Sequence, residues 1–419
     1  RKIDERHEAI GIPFEAVGSP VEFLSISEEK GARLRATVSE FGPVLFSKIL
    51  ALNDTQSGIV AVVFKYADDN DLPLLDLEDF KKTLQYMTNE GKAEVQKIYG
   101  RISSASVGSI MRKLVELEQQ GAEIFFGEPS FEVEDLCRVD ELGRGIVSVI
   151  RLTDIQDRPK LFSTFMLQIL AEIYSTFPEA GDDDKPKLVM FIDEAHLVFD
   201  QASDALMDQL EAIVKLIRSK GVGLFFVTQN PADIPESVLG QLGLKVQPAL
   251  RAITDKDRKA IKLTAQNYPI TEYYDVDQLL TELGIGEALV TALNEKGIPT
   301  PLVHTMLRAP QSRMDILTTK EINEVVDSSP LVKKYNQTID RDSAHEILAE
   351  KIEAAHEEER QEELKAEREK ARKSSSRSRR REKSTLEKVM SNTTTRQIGR
   401  TLARELARGL LGILGGRRR

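Results

Sequence analysis

The sequence predicts an α/β fold: a parallel sheet flanked by helices, joined to an all-helical segment and a charged helical tail. Three observations point there. Beyond about Gly143, unbroken apolar runs alternate with amphipathic stretches, the rhythm of a parallel sheet covered on both faces. Between Gly42 and about Gln120 the apolar residues recur only at helical spacing. From 345 to 373 the chain is dense in Glu, Lys, Arg and Ala, the composition of a long solvated helix.

Taken in order, residues 21–26 and 34–38 read as short strands. Val44, Leu45, Ile49 and Leu52 open the helical segment, and Ile110, Leu114, Val115 and Leu117 repeat its pattern near the end. Residues 146–152 read as a strand and 161–173 as a helix. The run 188–192 reads as a buried strand entered from the solvated turn Asp182-Asp183-Asp184-Lys185-Pro186-Lys187. A helix with Leu206, Leu210, Ile213, Val214 and Ile217 on one face follows, and Gly221 stops it. Residues 222–227 form the next apolar run. Two more strand candidates, 288–293 and 301–306, flank Gly297 and Pro299. Past about Asp315 the core pattern fades, and Ser374, Ser375, Ser376 and Ser378 mark a flexible joint.

The 419 residues are 41% hydrophobic and 30% charged, enough to bury a core and too apolar for wholesale disorder. The net charge is −10, unevenly divided. Residues 372–419 hold 15 Lys/Arg and 3 Asp/Glu, a charge of +12, which leaves −22 on residues 1–371. An acidic body with a basic tail argues against a body coated for nucleic acid and leaves the tail free for polyanions. The single cysteine, Cys137, excludes an intramolecular disulfide and a Cys-rich zinc site, and fits a reducing, cytoplasmic setting. No apolar run reaches the ~18 residues of a membrane span.

The strongest local signal is Leu188-Val189-Met190-Phe191-Ile192-Asp193-Glu194-Ala195-His196. Five apolar residues end in two carboxylates, and open parallel sheets place ligands beyond the carboxyl ends of their strands. In nucleotide hydrolysis the first acid, Asp193, holds the water shell of Mg²⁺, and the second, Glu194, orients and polarises the attacking water. The structural alternative is a helix cap at Asp193. The next run ends Val227-Thr228-Gln229-Asn230-Pro231, where Gln229 can bond the attacking water or terminal phosphate, or simply belong to an Asn-Pro turn. Arg218 and Arg251 are candidates to supply positive charge to a transferring phosphoryl group. At the end of its helix, Arg218 also suits the helix dipole. His196 reads as a helix-start residue.

The tail has its own geometry. Arg396, Arg400, Arg404 and Arg408 fall every four residues, and Ile398, Leu402, Leu406 and Leu410 do the same, offset by two. Positions two apart differ by about 200° on a helix, so the rows lie on opposite faces. Such a helix suits an anionic membrane, nucleic acid, or packing on its own protein. That leaves a second reading of the chain, a non-catalytic scaffold anchored by its basic tail.

A triphosphatase of this kind needs a loop G-x-x-x-x-G-K-[ST] to cradle phosphates. None occurs; Gly91-Lys92 is followed by Ala93 and has Tyr86 where the first glycine belongs. The chain opens at Arg1, so the loop is expected upstream of it.

With these residues in view the chain resembles the HerA/FtsK branch of RecA-like P-loop ATPases, and more narrowly the bacterial HerA-like C-terminal family. The stretch 188–199 resembles the branch's second acidic ATPase motif. Further matches are Thr37-Val38-Ser39-Glu40-Phe41-Gly42-Pro43, Leu52-Asn53-Asp54-Thr55-Gln56, Ile102-Ser103-Ser104-Ala105-Ser106-Val107-Gly108 and Leu117-Glu118-Gln119-Gln120-Gly121. Phe125-Phe126-Gly127-Glu128-Pro129, Val227-Thr228-Gln229-Asn230-Pro231 and the terminal stretch 399–412 complete them. The resemblance implies a RecA-like core, its first strand and phosphate loop missing, interrupted by a helical insertion. Its parts are a remnant of the core at 1–41, the insertion at 42–135, the main core at 136–312, a charged helical extension at 313–373, a flexible basic linker at 374–395 and a basic amphipathic helix at 396–419. It implies ATP and Mg²⁺ as cofactors, with Asp193 as metal-water ligand, Glu194 as catalytic acid, Gln229 as polar sensor and Arg218 and Arg251 as phosphate-contacting arginines. Leu244-Lys245 and Pro248 depart from the family's commoner Asn-Arg and His around Arg251. Relatives assemble as hexameric rings and move DNA, so a homo-oligomer and DNA are the implied partners. The present chain, without the loop, is expected to be inactive.

Overall fold

The computed structural model describes residues 2–378 except 153, 156, 157, 182, 200–203, 252, 253, 338, 340 and 341. The chain forms two units, Arg1–Ile352 and Glu353–Arg419. The first begins with α1 (Lys2–Ile10), β1 (Val21–Ser25) and β2 (Ala32–Arg33). Five helices follow: α2 (Val38–Ile49), α3 (Asp54–Asp69), α4 (Leu77–Thr88), α5 (Lys92–Tyr99) and α6 (Ser104–Gln119). Then come β3 (Val147–Arg151), α7 (Pro159–Thr176), β4 (Leu188–Ile192), α8 (His196–Phe199), α9 (Asp204–Leu216) and β5 (Val222–Phe226). Next are α10 (Glu236–Leu239), β6 (Lys245–Pro248), α11 (Asp255–Gln266), α12 (Val276–Glu282), β7 (Glu287–Thr291) and β8 (Val303–Met306). Two helices, α13 (Thr319–Ser328) and α14 (Pro330–Tyr335), precede α15 (Ala344–Ser378). No helix among the described residues is long and apolar enough to cross a membrane.

The predicted parallel sheet is present, in two ladders. β1 pairs in parallel with β2 on one side and β3 on the other, and β4 pairs in parallel with β5. The ladder β6-β7-β8 departs from the expectation: it is antiparallel. Its cause is local. Gly297 at φ +71° and the Asn294 side chain, which accepts from the N–H groups of Lys296 and Ile298, tighten the β7–β8 link. So short a connection permits only an antiparallel neighbour. Covering on both faces also departs from the expectation. Side chains alternate across a strand, and among the described residues one face of β4–β5 stays open. There Phe191, 68% exposed, stacks on Phe225 with ring centroids 4.6 Å apart.

The helical segment starts four residues earlier than its pattern suggested, because Thr37 caps α2. Thr37 Oγ1 accepts from the Glu40 N–H, and Glu40 Oε2 accepts from the Thr37 N–H at 2.8 Å. Gly42, at φ +65°, then kinks the helix before Pro43, which is why the helical rhythm is legible only from there. Asn53 with Gln56, and Asp76 with Asp79, make the same reciprocal cap for α3 and α4. Phe46 sits at the centre of this packing, its ring against Phe41, Phe64, Phe80 and Phe126. The same hydrophobic core continues through α7, β4, α9 and β5, so the helical segment does not stand apart. A smaller core under the antiparallel ladder joins Ile261, Ala265, Leu280, Leu283, Leu289 and Leu302.

The region past Asp315 also departs from its reading as a charged extension. Leu331, Tyr335, Ala344 and Leu348 are buried in the main core. The Tyr335 hydroxyl donates to Asp135 at 2.6 Å and accepts from the Glu132 N–H at 3.1 Å. Ser329 Oγ donates to the buried Glu22 carboxylate, which Arg138 also contacts. At the outer edge of β2, Asn336 Oδ1 accepts from the Arg33 N–H at 2.8 Å and Asn336 Nδ2 donates to the Gly31 carbonyl at 3.0 Å. The described part of the second unit is helix α15 through Ser378, so the serines read as a joint lie within a helix. The remaining linker and the amphipathic stretch 396–419 lie outside the described residues.

Where α2 meets α7 and α9, Glu40, Lys48, Gln168, Glu172 and Gln209 line a cavity of about 470 Å³. Burial, then the nearby Glu40 and Glu134 carboxylates, push Glu172 up to about 7, against a Gln168 hydrogen bond that acts the other way. Unfolded, it titrates near its ordinary 4.5. The folded chain thus holds an extra proton between those values, and stability falls as pH rises through that window and levels off above it. Glu172→Gln removes this slope: its advantage in thermal midpoint over the wild type should widen from pH 5 to 7.5 and then stay constant. Phe46→Ala should cost about 3–5 kcal/mol in denaturant unfolding, the usual range for a fully buried ring.

Candidate functional site

β4 and β5 run in parallel with Leu188 opposite Val222 and Ile192 opposite Phe226. Their carboxyl ends therefore open on the same rim. The turn after β4 is tied to the end of β5: the Val227 N–H donates to Ile192 O, and the Ala195 N–H donates to Val227 O, both at 2.9 Å. Ala195 and Val198 are fully buried beneath it. The rim residues Asp193, Glu194, Thr228 and Gln229 are thereby set side by side.

Glu194 takes a left-handed backbone, φ +48°, one of three non-glycine residues with positive φ among those described. For a side chain with a Cβ this conformation costs roughly 1–2 kcal/mol, and such strain clusters at functional sites. It turns the carboxylate toward β5, where Gln229 Nε2 donates to Glu194 Oε1 at 2.9 Å. On the other side His196 Nδ1 lies 3.3 Å from Glu194 Oε2, in ion-pair reach. Asp193 is exposed, and its Oδ1 accepts from the Glu194 N–H at 3.0 Å. That bond to the next residue is not the bond to the second or third N–H that marks a helix cap. The turn after Gln229 is also built: Asn230 Oδ1 accepts from the Ala232 N–H, and Asp233 receives Thr228 Oγ1 and Asn230 Nδ2.

The three residues Asp193, Glu194 and Gln229 are thus brought together, and the two arginines are not. Arg218 lies in the turn before β5, at the opposite end of a five-residue strand from Gln229. That length is roughly 17 Å. Arg251 closes α12: its guanidinium donates to Thr281 O at 2.7 Å and Leu283 O at 3.1 Å. A cation there satisfies carbonyls that a helix end leaves unpaired. His196 opens α8, as its reading as a helix-start residue expected, and it also approaches Glu194, a contact that reading did not include and whose signal is its place two residues after Glu194.

Among the described residues no group of three or more His, Cys, Asp or Glu is arranged as a ready metal cage. Mg²⁺ does not require one, since it retains several waters and binds through one or two carboxylates. An exposed Asp193 on the rim fits that donor chemistry. Beside the rim, a cavity of about 380 Å³ lies between β5 and β6, walled by Phe226, Val227, Thr228, Lys245, Val246 and Gln247 among others. Among the described residues each of these strands is paired on one side alone, β5 with β4 and β6 with β7.

A sequence model of the family described as helicase HerA-like C-terminal matches residues 1–419. The chain belongs to the HerA-like C-terminal family. It is 31% identical over 165 residues to a probable helicase of Methanocaldococcus jannaschii, a match covering 37% of this chain and 29% of that one. It is 28% identical over 155 residues to the DNA double-strand break repair helicase HerA of Sulfurisphaera tokodaii, covering 36% and 30%. Each match thus spans less than a third of the relative's length. Among solved structures it is similar to plasmid coupling protein TrwB in complex with ADP and Mg²⁺, at 10% identity and TM-score 0.48, over 73% of this chain and 81% of that one. It is also similar to VirB4 of Thermoanaerobacter pseudethanolicus, at 16% identity and TM-score 0.45, over 70% and 82%.

The strained turn of this HerA-like chain is open to a direct measurement. Glycine adopts positive φ freely, so Glu194→Gly should unfold at higher denaturant than Glu194→Ala, by about 1 kcal/mol. Equal stabilities would mean that the left-handed turn is not held in solution.

Proposed function

We propose that the protein is an ATP-hydrolysing motor of the HerA-like type, with Asp193, Glu194 and Gln229 as its reacting rim. The observation that carries this reading is the bond from Gln229 Nε2 to Glu194 Oε1, which fixes a strained carboxylate at the carboxyl ends of two parallel strands. Beyond such ends is where α/β sheets take their ligands. Asp193 would hold Mg²⁺ through its water shell; the ion, when bound, neutralises charge on the phosphates. Glu194 accepts a hydrogen bond from the attacking water and orients it, and Gln229 keeps that carboxylate in place and reads the terminal phosphate. Phosphoryl transfer depends mainly on position and charge, so an oriented carboxylate is sufficient as the water's partner.

The amides that cradle the phosphates belong, in this reading, to a glycine-rich loop upstream of Arg1. The cavity between β5 and β6 supports it: two strand edges, unpaired among the described residues, flank a space beside the rim. Neither Arg218 nor Arg251 reaches Glu194 within one chain, so their part in the reading is across a junction between copies of a ring, by analogy a hexamer. DNA as the moved polymer, and a cytoplasmic setting, come to this chain from its relatives' names and from its single cysteine.

The test is ATP turnover by the polypeptide extended upstream through the loop, beside its Glu194→Gln variant. The extended protein should hydrolyse ATP, the variant should fall by about 100-fold or more, and residues 1–419 alone should stay at background. Equal background rates for the extended protein and its variant would remove the reading.

A further inference from the structure

Glu194 has a hydrogen bond at one oxygen and an imidazole nitrogen in ion-pair reach of the other, and the reading above uses only the first. Gln229 Nε2 meets Oε1 at 2.9 Å, and His196 Nδ1 lies 3.3 Å from Oε2. One nitrogen comes from the first residue of α8, after β4, and the other from the turn after β5. The backbone that carries His196 has little freedom: the Leu197 N–H donates to Glu194 O at 2.9 Å and the Val198 N–H to Ala195 O at 3.1 Å. The imidazole therefore returns toward the residue two positions before it, over a turn whose underside is closed by Ala195 and Val198. A glutamate with one fixed oxygen can still rotate about that contact. A second contact on the other oxygen removes the rotation. An ionised carboxylate has about four lone-pair sites, so two contacts leave it free to accept from a water as well.

We infer that His196 is a positioning residue for Glu194. Its Nδ1 fixes Oε2 while Gln229 fixes Oε1, and the carboxylate is aimed by the pair at the attacking water. The contact at 3.3 Å is longer than the one to Gln229, and catalytic contacts often tighten only once substrate is bound. In this role Nδ1 carries the proton, which either the imidazolium or one neutral tautomer provides. The inference rests on the ATPase reading, since it gives His196 a task only if Glu194 has one.

The experiment compares steady-state ATP turnover of the upstream-extended protein with that of its His196→Ala, His196→Asn and Glu194→Gln variants. Thermal midpoints are measured alongside. His196→Ala should lower kcat about 10-fold with little change in KM for ATP, the size of loss typical when an orienting partner is removed. His196→Asn places an amide N–H near the position of Nδ1 and should recover most of that loss. A purely structural histidine would lower the thermal midpoint of both variants and show no rescue. Full kcat in His196→Ala, or a loss in His196→Asn as large as that in His196→Ala, overturns the inference while leaving the ATPase reading intact. A wild type no faster than Glu194→Gln overturns the ATPase reading, and the inference with it.

Discussion

Everything at the rim follows from the register of β4 against β5. Leu188 faces Val222 and Ile192 faces Phe226, so the two strands finish together, and the residues after each finish side by side. A slip of one residue would reverse every side chain's face. Ile192 would leave the core, and Glu194 would lose Gln229 as its neighbour. Two forces hold the register. Buried Ile192 and Val222 join the main core, and the backbone bonds between Ile192, Ala195 and Val227 lock the carboxyl ends. The strain at Glu194 persists because the next residue, Ala195, is fully buried and bonded to Val227 O.

Much of this was legible in the sequence, and the reasons are particular. Residues 188–192 and 222–227 are apolar runs bounded by turn residues, and strands were expected there. The polar residues that end them were the natural candidates for the rim, and Asp193, Glu194 and Gln229 do meet. The arginines were a different case. Arg218 precedes β5 where Gln229 follows it, so chain order alone already sets it at the other end of that strand from the rim. Arg251 looked available because its partners are backbone carbonyls thirty residues on, which carry no side-chain signal. The contact of His196 was missed because it depends on the left-handed turn at Glu194, a conformation that residue identity does not announce.

The fold's departures share a cause of the same kind. Periodicity identifies a strand but not its direction; the direction of β7–β8 lay instead in the short link between 288–293 and 301–306, too short for a crossover. Nor does it report long-range burial. The stretch around Leu331 and Tyr335 is too short and too mixed to look like core, yet it fills a place between β2 and the helical segment prepared by residues two hundred positions earlier.

The amide of Asn336 has a further effect on how the molecule meets its own kind. By taking one donor and one acceptor from the backbone of Gly31 and Arg33, it acts as a miniature strand that has no continuation. An uncovered strand margin is a template on which another polypeptide can add, and from there fibrous aggregates grow. Here the template is occupied by a side chain anchored through Tyr335. Two molecules approaching along that margin find it already saturated, and sheet-to-sheet polymerisation through it is closed off.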